Sequence, residues 1–179
     1  MRVIEHQPPQ AVELRGAELS LFFAGPIQGA PDWQTEGIKI VENFPDDQEI
    51  HIYNPRREYL GEKFDKKKQI RWEKAGLARS AFRAKAQKRG GIVFWLAQRD
   101  FNLPYKEGRS YAQTTRVEFG RAGGWKDSDP DVNISLGIEP GYEGSVDYYT
   151  DTAEEFGLPI FTSLEETCIN ALNLILDKK

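Results

Sequence analysis

Ile92-Val93-Phe94-Trp95-Leu96 decides the fold. Two β-branched residues, two aromatics and a leucine leave no polar face for water. The run therefore suits a strand covered on both sides, the position of a central strand in a parallel sheet. On its N-terminal side, Leu19–Ala24 (LSLFFA) is a second apolar, aromatic strand, ended by the turn Gly25-Pro26. Trp33–Phe44 places Trp33, Ile38, Ile40, Val41 and Phe44 among polar residues at helical spacing, with Asp32 as N-cap and Pro45 as stop. Ile50–Tyr53 reads as a short strand closed by Asn54-Pro55, and a helix is expected over Lys67–Ala81.

Beyond the central run, Thr114–Gly123 reads as a helix ending at Gly123-Gly124. Val132–Ile138 is a fourth strand, Val146–Phe156 a helix and Leu158–Phe161 a fifth strand. The closing helix, Leu164–Leu176, opens on a capping box of Ser163 and Glu166. Five strands alternating with helices imply βαβ units, an open five-stranded parallel sheet and helices on both faces. Residues 18–179 form this single domain, and residues 1–17 are expected to be an extension dispensable to it.

Composition narrows the function classes. With 179 residues, 39% hydrophobic and 29% charged, the chain is long enough for one packed core. The longest apolar runs are about six residues, against the ~20 that cross a bilayer. Met1–Leu14 carries Glu5, His6, Gln7, two prolines and Glu13, unlike a secretory leader. One cysteine, Cys168, leaves no internal disulfide and reads as a small core residue. A cytoplasmic protein without membrane contact is expected. Two histidines, His6 and His51, make a zinc site of ordinary type improbable. Charge is uneven: Lys63–Arg89 holds eleven Lys/Arg against Asp65 and Glu73, a balance of +9. The rest of a chain of net charge −4 is thus at −13. That stretch reads either as a solvated helix face or as a patch for an anionic ligand.

In an open α/β sheet, ligands sit beyond the carboxyl ends of the strands. The segments there are Gly25–Gly29, Asn54–Gly61, Ala97–Arg116 and Glu139–Gly144. The dinucleotide, P-loop and nucleophile-elbow motifs are absent, which leaves carboxylates. Glu118 lies where the chain enters a helix after the central strand, so the helix N-terminus is expected to favour its ionised form. Glu73 lies on the helix that feeds the same strand. Singly, either would be an ordinary surface glutamate; together they supply what acid-plus-nucleophile chemistry at an anomeric carbon needs.

The motifs Phe23-Ala24-Gly25-Pro26, Tyr53-Asn54-Pro55-Arg56-Arg57-Glu58, Gln69-x-x-Trp72-Glu73, Phe94-Trp95 and Thr115-x-Val117-Glu118-Phe119-Gly120 occur in this order, followed by Gly157-Leu158-Pro159-Ile160-Phe161. Across Leu19 to Leu176 this pattern resembles the nucleoside 2-deoxyribosyltransferase-like superfamily, which includes nucleotide N-glycosidases such as cytidine-monophosphate hydrolases. The resemblance implies a flavodoxin-like sheet and cleavage of the bond between a nucleobase and its sugar. Glu118 matches the family's nucleophile, which forms a covalent glycosyl ester. Glu73 matches its proton donor, with burial against Trp72 expected to raise its pKa. A second free base then accepts the glycosyl group, or water does. A homo-oligomer and no metal or organic cofactor are implied. Two positions depart from the pattern. The basic segment Phe82–Gly91 replaces a short link ending in aspartate, and Ser110–Thr115 carries no aspartate before the nucleophile.

Further residues have paired readings. Arg56 and Arg57 suit a 5′-phosphate or surface pairing. Gly25, Pro26 and Gln28 suit one wall of a base pocket or a plain turn, and Asn54 and Thr115 border the same region. Trp72 and Tyr53 suit base stacking, whereas Trp95 suits the core. Tyr142, Tyr148 and Tyr149 suit site closure, an interface or helix packing. A function of another class is a nucleotide or nucleic-acid binder using Lys63–Arg89, its binding steeply salt-dependent. Overall acidity and the Glu118 motif weigh against nucleic acid.

Overall fold

The computed structural model describes residues 1–10, 18–57, 65–87, 89–105 and 108–177, the side chains of 83–87 excepted. The strands are Arg2–His6 (β1), Leu19–Ala24 (β2), Glu49–Tyr53 (β3), Gly90–Leu96 (β4), Asn133–Ile138 (β5) and Ile160–Phe161 (β6). The helices are Trp33–Glu42 (α1), Lys66–Gln87 (α2), Gln113–Ser128 (α3), Asp147–Glu155 (α4) and Leu164–Leu176 (α5). All strand pairs are parallel, in the order β1-β3-β2-β4-β5-β6. The fold is an open α/β sheet of Rossmann and flavodoxin type.

Every residue of β4 is buried. Its side chains alternate between two cores, as strand geometry requires. Val93 and Trp95 join Phe23, Trp33, Cys168 and Leu172 under α1 and α5. Ile92, Phe94 and Leu96 join Phe22, Leu77, Phe119 and Tyr149 under α2, α3 and α4. Burying a large apolar side chain contributes roughly 1.5–3 kcal/mol, so this doubly covered strand anchors both layers.

The helix starts follow the expected capping. The Asp32 side chain accepts from the Thr35 amide at 3.2 Å and from its hydroxyl at 2.9 Å. Ser163 Oγ accepts from the Glu166 amide at 3.2 Å and donates its own proton to the Glu166 carboxylate at 2.9 Å.

Three expectations are corrected. The sheet has six strands, because Arg2–His6, placed in a dispensable extension, pairs with β3 along its whole length. It is anchored by the Arg2–Glu49 ion pair and by the Asn54 amide on the His6 carbonyl at 2.9 Å. Residues 11–17 of that extension lie outside the described residues. Helix α2 continues past Ala81 to Gln87, since nothing in the basic segment breaks a helix. Helix α3 runs through Gly123-Gly124 to Ser128, ending at Asp129 before Pro130. A helical glycine costs only about 1 kcal/mol, and Gly123 fits closely against Phe156 and Thr152.

Connections from β2 leave toward β3 on one side, while β4 lies on the other. The carboxyl ends of β2 and β4 therefore flank the topological switch point, the usual ligand crevice of such sheets. No described helix is long and apolar enough to cross a membrane.

Candidate active site

Helices α2 and α3 both start at the carboxyl edge of the sheet and lie side by side on one face. Asp65 opens α2 by accepting from the amides of Lys67 and Lys68 at 2.9 and 3.1 Å. One turn in, Gln69 Nε2 donates both to the Pro55 carbonyl at 2.9 Å and to Glu73 Oε1 at 2.7 Å. The amide orientation is fixed, because a backbone carbonyl only accepts. Gln69 Oε1 is left buried without a partner. Ala112 precedes α3 in the left-handed region at φ 53°. Thr115, Phe119 and Ala122 then face the sheet, which turns Glu118 toward α2 and Arg116 toward α4 at 100° per residue.

The two carboxyl groups interact. Glu118 is pushed up to about 8, first by burial and then by the charge of Glu73, with Arg121 opposing. Glu73 is also raised, by burial, while the Gln69 hydrogen bond acts the other way. The expectation for Glu73 therefore agrees in direction. That for Glu118 is reversed, because desolvation outweighs the helix N-terminus. Two neighbouring, largely desolvated carboxyls thus both resist ionisation, and at neutral pH Glu118 is held in its neutral form. The Gln69 donor favours the charged form of Glu73.

The loops at the switch point are tied together from within. Arg56, read as suiting a 5′-phosphate or surface pairing, is engaged by the loop after β2. Its guanidinium meets Gln34 Oε1 at 2.8 Å, Asp32 Oδ1 at 3.1 Å and the carbonyls of Ile27, Ala30 and Pro31 at 2.8–3.3 Å. Asn54 is buried and internal too, donating to Glu5 at 2.7 Å and accepting from the Arg56 amide at 2.9 Å. Pro26 accepts from the Trp33 indole at 2.9 Å. At Gly25 a Cβ would meet the Trp95 carbonyl at 2.3 Å and the Trp33 ring at 2.5 Å, so glycine is required for packing. Gln28 is exposed and accepts from Arg109 at 3.2 Å. The Asp100 amide on the Gly29 carbonyl at 2.8 Å joins the loops after β2 and β4.

Trp72 packs beside Phe22 and Tyr53, and its indole donates to the Gln10 carbonyl at 2.9 Å. Its ring faces are thus partly committed to the fold. Tyr53 is buried below it, Trp95 is in the core, and Thr115 is buried in the first turn of α3. Arg57 is half-buried. Glu58 and residues 59–64 lie outside the described residues, as do the side chains of 83–88. The structure thus brings Glu73, Glu118, Trp72 and Tyr53 to one side of the sheet edge. Arg56, Gly25, Pro26 and Gln28 form the neighbouring loop cluster.

Sequence reasoning assigned no role to Gln69, although it stands in a quoted motif four residues before Glu73. It also missed Arg116, whose side chain the sequence could not orient.

Among the described residues no cluster of three or more His, Cys, Asp or Glu could hold a metal ion. Compared with models of known protein families and with curated proteins, the chain matches none. The chemistry open to the site is that of two neighbouring carboxyl groups, Glu118 held neutral by burial.

Proposed function

We propose that the chain breaks the N-glycosidic bond of nucleosides or nucleotides and passes the glycosyl group to a second base or to water. The observation that carries this reading is the Glu73–Glu118 pair. Two carboxyl groups from adjacent helices interact at the carboxyl edge of a parallel sheet, and burial holds Glu118 neutral. In the first step a Glu118 oxygen bonds to the anomeric carbon as the carbon–nitrogen bond breaks. The bonding electron pair goes to the base, which takes a proton from Glu73. In the second step an incoming base nitrogen or water attacks that carbon. Glu118 departs as carboxylate, and Glu73 recovers its proton from the nucleophile. The resting proton on Glu118 must first pass to Glu73, a transfer between neighbouring carboxyl groups that leaves net charge unchanged.

A second reading exchanges the two roles. Gln69 holds Glu73 toward its charged form, so Glu73 would attack and Glu118 would donate. Mass spectrometry of protein quenched in acid during turnover separates the two. A glycosyl adduct on the peptide containing Glu118 supports the first assignment, and one on the Glu73 peptide supports the second. Turnover with neither adduct, in both wild type and a slowed variant, contradicts covalent catalysis.

Cytoplasmic nucleotide salvage and a homo-oligomer belong to the same proposal. The rival reading, a binder of nucleic acid or nucleotides, draws on Lys66, Lys67, Lys68, Arg71 and Lys74, which are exposed along α2.

A further inference from the structure

We infer that the groove between α3 and α4 is a second binding site, taking a small planar molecule whose phosphate or carboxylate is held by Arg116. It is a cavity of about 390 Å3 lined by Arg116, Val117, Ser145, Tyr148 and Tyr149. Glu118 faces α2, so the body of α3 separates this groove from the carboxylate pair. The site stands independently of the glycosidic reading.

The polar groups here have only one another as partners, and no anion. Arg116 Nε and the hydroxyls of Tyr142 and Tyr149 are buried and face one another within side-chain hydrogen-bonding reach, with no partner outside this cluster. They lie close enough for the guanidinium to favour the charged form of both phenols. Among the described residues no carboxylate comes within ion-pair distance of Arg116. Two neutral phenols satisfy part of the guanidinium's hydrogen bonding but leave its charge without a counter-ion. A neutral ligand would leave the guanidinium unpaired in a half-dry groove. An oxyanion brings several acceptors at once and matches the planar guanidinium bidentately.

The walls specify the rest of the molecule. Val117 and Tyr148 are 66% and 54% exposed, an apolar side chain and an aromatic face turned outward beside the charge. The volume lies in the range of small-ligand pockets. A ring stacked on Tyr148 with its oxyanion on Arg116 fills both. Arg56 is bound by the loop after β2, whereas Arg116 borders a cavity.

The test is titration calorimetry with phenyl phosphate, benzoate, inorganic phosphate and phenol on wild type, Arg116→Gln and Tyr148→Ala. A phosphate site binds phenyl phosphate best and a carboxylate site binds benzoate best. Either supports the inference if phenol binds at least about tenfold more weakly, the scale of a hydrogen bond to a charged group. Arg116→Gln is expected to weaken the favoured probe by about tenfold or more on the same ground, with its circular dichroism unchanged. Tyr148 is exposed, so Tyr148→Ala folds; it weakens phenyl phosphate or benzoate but leaves inorganic phosphate alone. No oxyanion binding at millimolar concentration, or equal binding by folded Arg116→Gln, overturns the site.

Discussion

Replacing Glu118 with glutamine removes a carboxyl group that the fold keeps neutral up to about pH 8, against an ordinary value of 4.5. In the unfolded chain this group gives up its proton first as pH rises, so stability falls between those two values. By proton linkage the loss contributed by Glu118 is about 1 kcal/mol at pH 5, roughly 3 at pH 7 and close to 5 well above pH 8. Glutamine cannot titrate, and Glu73 titrates in both proteins. Urea unfolding of wild type and Glu118→Gln at a series of pH values should show the variant gaining on wild type by about 2–3 kcal/mol from pH 5 to 7. For a chain of this size that is roughly 5–10 °C in Tm. The change with pH is the quantity to read, because burying an amide adds a constant offset. Parallel stability curves would mean that Glu118 is not held neutral.

Three further outcomes follow from neighbouring residues. Gln69→Leu removes the donor to Glu73 and should cut kcat about tenfold or more, the scale of a lost charged hydrogen bond. KM should barely move, and wild-type kcat in the leucine variant would argue against positioning by Gln69. Gly25→Ala drives a methyl into the Trp95 carbonyl and the Trp33 ring, and should destabilise by about 1–3 kcal/mol in urea unfolding, the usual cost of overpacking. His6 and His51 stack with rings 5.0 Å apart and share a hydrogen bond of 2.7 Å. Burial, then the neighbouring His51, lowers the His6 pKa below 6.5 against the pull of Glu18 and Glu5. The unfolded chain therefore takes up this proton first as pH falls through 6.5. Below that, His6→Gln should lose stability less steeply with acid than wild type, as thermal melts at pH 5 and 7.5 can show.

Much of the fold was legible because β4 and β2 are apolar on both faces, and α1 and α5 carry their caps, Asp32 and Ser163, in sequence. Strand β1 was not legible. Arg2, Ile4, Glu5 and His6 mix charge with apolar residues on a half-exposed edge, and the partners Glu49 and Asn54 lie some fifty positions away. The carboxylate pair was legible in outline, since βα order puts the starts of α2 and α3 at one sheet edge. The proton held on Glu118 was not, because burial depends on packing that no spacing encodes. The partners of Arg56 were not legible for a similar reason. Three of its acceptors are the carbonyls of Ile27, Ala30 and Pro31, which every residue carries and no motif marks. Arg116 and the tyrosines meet only once α3 and α4 pack together.

The central claim is glycosidic chemistry by the Glu73–Glu118 pair. Chromatography of products from a panel of nucleosides and nucleotides, each with and without a second free base, tests it most directly when wild type and Glu118→Gln are run side by side. The account predicts free base or a newly assembled nucleoside from wild type and a near-complete loss in the variant. Transfer products would mark a transferase, and base release regardless of acceptor a hydrolase. Full activity in Glu118→Gln, or no turnover of any member by folded wild type, would contradict it.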